Sequence, residues 1–204
     1  MHIVKTRPEG GFLLFGHAME NLNMQTGKPF HAAASNDAAL LHMVCGKIAS
    51  GKSTLVARLA SAGPSVPISE DVWLAHLYPD EILSIEDYVR CAARVRHVLA
   101  DHVRALLRAG VSVVLDVPFN TVAARAWGLD VARAAGCDHR LHYLDVDDAV
   151  CKARLHRRNA RGDHPFQATD AEFERITRYF VAPDAAEGLN IVAYDEAGSV
   201  RPSA

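Results

Sequence analysis

The sequence predicts a three-layer α/β fold, a parallel sheet with helices on both faces. Three observations predict it. From Ala38 onward, apolar runs of strand length alternate with stretches of helical period. Several of those runs are continuously apolar, as strands buried on both faces must be. A glycine-rich segment also sits between the first run and the first helix, and its physical role fits that architecture.

The first strand is expected over Leu40–Cys45. The segment Gly46, Lys47, Ile48, Ala49, Ser50, Gly51, Lys52, Ser53, Thr54 follows it and meets every fixed position of G-x-x-x-x-G-K-[ST]. Gly46 and Gly51 let the backbone bend so that successive N–H groups point into one concavity, which suits phosphate oxygens. The helix that opens near Lys52 adds the positive end of its dipole. Lys52 is expected to reach the β- and γ-phosphates, and the Ser53 hydroxyl suits Mg²⁺, a hard cation that prefers oxygen. Thr54 is read as support for the helix start.

Further strands are expected over residues 65–68, 111–117, 140–145 and 190–194. The long helix is expected over 85–109. Ser84 caps it with Asp87 three residues on, and Gly110 ends it. Its apolar stripe is Ile85, Tyr88, Val89, Ala92, Val95, Leu99, Val103 and Leu106. Glu86, Arg90, Arg94, Asp101 and Arg108 form a solvated face with i,i+4 partners. A second helix follows Asn120-Thr121 and stops at Gly136. A third begins near Asp147 and runs through Arg161. A fourth has Thr169 and Glu172 as a capping box, holds Phe173, Ile176, Thr177 and Phe180 inside, and is stopped by Pro183.

Residues 1–37 lack a sustained period and read as an N-terminal extension, ordered only in part. Residues 38–204 read as the main domain. Net charge is −2, so no global basic field draws in nucleic acid, and a nucleic-acid partner is not expected. Cys45, Cys91, Cys137 and Cys151 are dispersed, without C-x-x-C spacing, so reduced thiols and a cytoplasmic location are expected. No apolar run has bilayer length, and the N-terminus lacks a signal-peptide layout. The eleven histidines form no paired metal spacing, so no dedicated zinc site is expected.

A phosphate cradle alone is not an enzyme. Phosphoryl transfer also needs a group to orient or deprotonate the acceptor, a metal holder and cations over the transferring phosphate. Asp71 lies just past the second strand, where a carboxylate can take the proton of an acceptor hydroxyl. Glu70 beside it reads more readily as a carboxylate serving a helix dipole. Asp116 closes the third strand, and two roles fit it: near Mg²⁺, often through water, or against the substrate. Asn120 is either a helix cap or part of the same edge. Arg154, Arg157, Arg158 and Arg161 crowd the end of the third helix. Like charges gather there when an anion sits among them, and Arg154, Arg158 and Arg161 share one face. Gly162 and Pro165 supply hinges for a flap. Trp73, His76, Tyr78, Tyr88 and Arg90 fall where the acceptor would lie, although aromatics there serve core packing more often.

The pattern resembles the predicted kinases of the P-loop AAA-domain family, relatives of chloramphenicol phosphotransferase, gluconate kinase, zeta toxin and the polynucleotide 5′-hydroxyl kinases. The residues that carry it are the glycine-rich loop, Ile68-Ser69-Glu70-Asp71, which is similar to the strand-end segment bearing the general-base aspartate of polynucleotide kinases, and Arg158-Asn159-Ala160-Arg161-Gly162, which looks like an arginine-bearing lid. The resemblance implies a P-loop kinase-like fold with a five-stranded parallel sheet of order 2-3-1-4-5, an ATP and Mg²⁺ site and a small arginine-rich lid. The expected activity is transfer of the γ-phosphate of ATP to a hydroxyl of a small molecule. Lys52, Asp71 and Arg158 would be catalytic, and Ser53 and Asp116 would serve the metal. Two alternatives stand beside it: a regulatory ATPase or switch with no small-molecule acceptor, and a polynucleotide 5′-hydroxyl kinase.

Overall fold

The computed structural model describes residues 38–161 and 168–201. The N-terminal extension and the hinge residues Gly162 and Pro165 lie outside the described residues.

The elements follow in the order β1 (Leu40–Cys45), α1 (Lys52–Ser61), β2 (Ser65–Ser69), α2 (Glu70–Leu77), α3 (Ile85–Arg108), β3 (Ser112–Asp116), α4 (Val122–Ala135), β4 (Asp138–Leu144), α5 (Asp148–Arg161), α6 (Asp170–Thr177) and β5 (Ile191–Tyr194), with a 3₁₀ turn at Ala185–Glu187 before β5. The strands form one sheet of order β2-β3-β1-β4-β5. Every pairing between these strands is parallel. The expected five-stranded order is therefore the observed one.

The strands read as continuously apolar because both faces are covered. Leu41, Met43, Val113, Leu115 and Leu141 point to one face and pack with Leu99, Val103 and Leu107 of α3 and Val131 of α4. Val44, Val114 and Leu144 point to the other face, against Leu55 and Val56 of α1, Cys151 and Leu155 of α5 and Phe173 of α6. A third cluster joins Leu74 of α2 to Cys91, Ala92 and Val95 of α3.

The cap of α3 is as read: Ser84 Oγ accepts from the Asp87 N–H. Its surface ion pairs form at i,i+3 rather than i,i+4, with Asp87–Arg90 at 2.7 Å and Asp101–Arg104 at 2.9 Å. Val89, expected on the apolar stripe, is 60% exposed. The Thr169–Glu172 capping box of α6 is present. That helix nevertheless ends at Thr177, well before Pro183. Tyr179 and Phe180 donate N–H groups three residues back, to Ile176 and Thr177, so tight turns end it and Phe180 lies beyond it.

The helix α2 is the one whose dipole Glu70 is read to serve. It starts on the residue after β2 with no intervening loop, and its N-cap Ser69 makes no side-chain cap bond. The acidic pair Glu70-Asp71 at its N-terminus favours it through the dipole.

Buried charge appears once on the α4 side. The Arg125 guanidinium is fully buried, bonds Glu187 twice at 2.7 Å and donates to the Phe119 and Val181 carbonyls. That ties together the 3₁₀ turn, the loop before α4 and the segment after α6. Across the sheet, His42 Nδ1 lies 2.9 Å from His142 Nε2, and His142 Nδ1 lies 2.8 Å from the Tyr194 hydroxyl. These three side chains link β1, β4 and β5 beneath α1, where Arg58 covers the Tyr194 ring at 5.5 Å.

Candidate active site

The loop after β1 is shaped by two special positions. Gly51 has φ +111°, a left-handed conformation that costs a side chain strain. At Gly46 the constraint is space: a Cβ there would lie 2.6 Å from Ser50 Oγ and 3.2 Å from Leu144 Cβ. Ala49 also takes a positive φ of 58°. Positive φ at Ala49 and Gly51 is the kind of backbone alternation from which anion cradles are built. Ser50 Oγ is buried without a hydrogen-bond partner among the described residues.

Distant parts of the chain hold the loop. The Gly46 N–H donates to Asn120 Oδ1 at 3.0 Å. Asn120 is thus a tether and not the helix cap; Thr121 caps α4 by accepting from Ala124 N–H. The Arg154 guanidinium donates to Ser50 O at 3.0 Å and to Glu196 O at 2.6 Å. Lys47 turns outward to Asp148, 2.5 Å away, and to the Phe180 ring at 5.8 Å. Its side chain braces the loop, while Ile48 packs on the α5-side core.

Lys52 Nζ donates to the carbonyls of Gly46 and Lys47, both at 2.8 Å. Burial pulls its pKa down from the ordinary lysine value, and Asp116 is the largest influence in the other direction, with Cys45 and Asp71 behind it. Ser53 and Thr54 are exposed and line the cleft above the loop.

Opposite the loop, the sheet register brings two carboxylates to one edge. Ser69 of β2 pairs with Asp116 of β3. Asp71 is two residues past Ser69, so both carboxylates stand outside the carboxyl ends of neighbouring strands, where ligands of open α/β sheets bind. Both line the same cleft. Their neighbour Glu70 is fully buried and bonded to Arg96 and Tyr88. Glu70 therefore serves structure at that position, and its partners Arg96 and Tyr88 lie too far along the sequence for spacing to reveal the pairing.

The arginines of α5 divide. Arg154 and Arg158 line the cleft, whereas Arg161 is exposed at the last residue of the helix and is not on the described cleft wall. Arg157 folds back onto the Ala153 carbonyl at 3.3 Å. Arg158 Nε is buried without a hydrogen-bond partner among the described residues. Burial lowers its pKa from the usual arginine value and the charge of Asp71 opposes that shift. A guanidinium on a cleft wall is suited to an anionic oxygen.

The cleft measures about 1490 Å³, and the loop, Asp71, Asp116, Arg58, Val89 and Tyr179 all line it. Tyr88 and Arg90 stand on its wall. Trp73 and Tyr78 pack instead on the core, and His76 Nδ1 lies 2.7 Å from the carbonyl of Val72.

Sheet order, loop and cleft together define a P-loop domain with a kinase-like fold. The model of the AAA domain family AAA_33 matches residues 41–183, and the chain belongs to that family. Among curated proteins, the Protein KTI12 homolog of Arabidopsis thaliana is 27% identical over 147 residues, covering 71% of this chain and 48% of that protein. The chain thus spans about half the length of the curated relative it matches. Among solved structures, a candidate kinase of Chloroflexus aurantiacus superposes with a TM-score of 0.63 at 20% identity, covering 78% of this chain and 86% of that one. Kti12 of Chaetomium thermophilum in complex with ADP-AlF3 superposes with a TM-score of 0.55 at 18% identity, covering 76% and 89%. At these identities the two structures share the fold. Among the described residues no helix is long and apolar enough to cross a membrane.

Proposed function

We propose that this chain is a phosphotransferase that moves the γ-phosphate of ATP to a hydroxyl of a small molecule, with residues 38–204 as the catalytic unit. The observation that carries this reading is that one cleft is lined by the phosphate loop and also by Asp71, Tyr88 and Arg90. A nucleotide-only site would need the first part and not the second.

The loop amides from Gly46 to Thr54 take the phosphate oxygens. Lys52 exchanges its two carbonyl partners for oxygens of the β- and γ-phosphates, which relieves the cost of burying its charge. Arg154 borders the nucleotide side, and Arg158 offers its guanidinium to the transferring group. Arg161 enters this scheme only as a lid cation that reaches in from the end of α5. The Ser53 hydroxyl and the Asp116 carboxylate share the cleft wall and are hard oxygen donors, so the residues present fit Mg²⁺. When bound there, Mg²⁺ supplies positive charge against the phosphate oxygens. Asp71 accepts the proton of the acceptor hydroxyl while that oxygen bonds to the γ-phosphorus. The bond from that phosphorus to the bridging oxygen breaks, and its electron pair leaves with ADP.

The free thiols Cys45, Cys91, Cys137 and Cys151 support a reducing, cytoplasmic setting. A second reading, a nucleotide-driven regulatory ATPase without an alcohol acceptor, draws on Kti12 of Chaetomium thermophilum, whose complex holds ADP-AlF3. The two separate in one experiment. Purified protein is given γ-labelled ATP and Mg²⁺ with sugars, nucleosides, aminoglycosides, chloramphenicol-like alcohols and 5′-hydroxyl oligonucleotides. Label on one small alcohol is the expected result. Asp71→Asn should keep ATP affinity within about threefold and reduce transfer by at least about a hundredfold, the scale of a lost general base. Unchanged turnover in that variant would sink the assignment, and label passing only to water would favour the ATPase. Lys52→Ala, which removes phosphate binding, serves as the control.

A further inference from the structure

Glu70 and Asp71 are adjacent carboxylates with different environments. Glu70 is fully buried. Arg96 holds it twice, Nε to Oε2 at 2.5 Å and Nη2 to Oε1 at 2.9 Å. The Tyr88 hydroxyl donates to the same Oε1 at 2.9 Å and lies 3.4 Å from Asp71 Oδ1. Tyr88, Arg96 and Asp71 all line the cleft.

A phenol has one proton and can donate it to one carboxylate at a time. Burial, with the charges of Glu70 and Asp71 behind it, pushes the Tyr88 pKa far up, so the proton stays on the phenol. Arg96 already compensates Glu70. The hydroxyl therefore rests on an acceptor whose charge is balanced, within reach of one on the cleft wall. We propose that Tyr88 is a positioning residue for Asp71: its hydroxyl, which rests on Glu70, turns its proton to the Asp71 carboxylate when an acceptor hydroxyl approaches, orients that carboxylate in the cleft, and returns to Glu70 as Asp71 takes the acceptor's proton. This rests on the reading of Asp71 as the base. It gives a function to the Glu70–Arg96 pair, whose buried carboxylate lies one residue from the chemistry. It also explains why α2 starts without a loop: the first turn of α2 places Glu70 against α3 and Asp71 against the cleft.

The test is a cycle of Tyr88→Phe, Asp71→Asn and the double variant. Tyr88→Phe is isosteric and keeps the packing of α3, and its fold is checked by thermal melting. Transfer from γ-labelled ATP is followed with the panel alcohol that takes label as acceptor, or with water if none does. Tyr88→Phe should lower kcat by about ten- to a hundredfold, the value of a hydrogen bond to a charged group, with KM for ATP within about twofold. In the Asp71→Asn background the same change should cost less than about twofold, because Tyr88 acts only through Asp71. If Asp71→Asn abolishes transfer while Tyr88→Phe is silent, raises only KM, or adds its full loss to that of Asp71→Asn, the positioning role is wrong and the base assignment stands. If Asp71→Asn is itself silent, both are wrong.

Discussion

The His42–His142–Tyr194 chain predicts an acid limb in the stability of this fold. His142 is 2% exposed. Burial, first, then the positive fields of His42, Arg140 and Arg58, push its pKa down from 6.5 to about 3. In the unfolded chain the ring titrates near its ordinary value. Between those two values the unfolded state binds a proton that the folded state does not, so stability falls as pH falls. The contribution is fully present above about pH 6.5 and is lost progressively toward pH 3. At pH 5 the gap is about 1.5 units at about 1.4 kcal/mol each, or about 2 kcal/mol. That is a large part of the about 5–15 kcal/mol of a typical domain. His42 adds in the same direction, since burial and Arg140 lower its pKa too. The assay is urea unfolding at pH 7 and pH 5, followed by the fluorescence of Trp73 and Trp127, for wild type and His142→Gln. Other groups titrate in both proteins, so the informative quantity is the difference in their pH dependence. Wild type should lose about 2 kcal/mol more than the variant over this range. Equal losses in the two proteins would refute the reasoning, and a variant that loses more would reverse its sign.

Two further outcomes follow from the bonding around the site. Asn120→Ala removes the acceptor of the Gly46 N–H and should weaken ATP binding by about tenfold, with a modest fall in melting temperature, measured by titration of a fluorescent ATP analogue and by thermal scans. Glu187→Ala strips the buried Arg125 of its bidentate partner and should cost about 3–5 kcal/mol in chemical denaturation while leaving nucleotide affinity unchanged, because the pair lies away from the cleft.

Much of the fold could be read from the chain because the sheet is buried on both sides. Continuous runs such as Ser112–Asp116 stand out, and capping residues such as Ser84 and Thr169 mark helix starts locally. The phosphate loop is legible because its motif is written within nine consecutive residues, although its tethers are not. What escaped depends on contacts distant in sequence. Asn120 precedes a helix, so it resembles a cap until Gly46, 74 positions away, is seen to donate to it. Glu70 and Asp71 are chemically alike, and only Arg96, 26 positions on, separates the buried one from the one on the cleft. Arg125 looks like a surface charge in an alanine-rich helix, because its partner Glu187 lies on a turn that has no periodic signature. Val89 keeps the helical period yet faces the cleft wall, since a long helix can continue its apolar stripe past the core it covers.

The supports of the phosphate loop also bear on the order in which the chain acquires its properties. Gly46 is tethered by Asn120, Lys47 by Asp148, and Ser50 by Arg154, 104 positions downstream. A chain emerging from synthesis carries the complete nine-residue motif long before any of those anchors exists. Up to Asn120 it would hold the letters of a nucleotide site with a loop free to take many shapes, and affinity would rise only after α5 docks. Nucleotide binding by this protein is therefore a report on late tertiary assembly, and an amino-terminal fragment bearing an intact motif should bind no nucleotide.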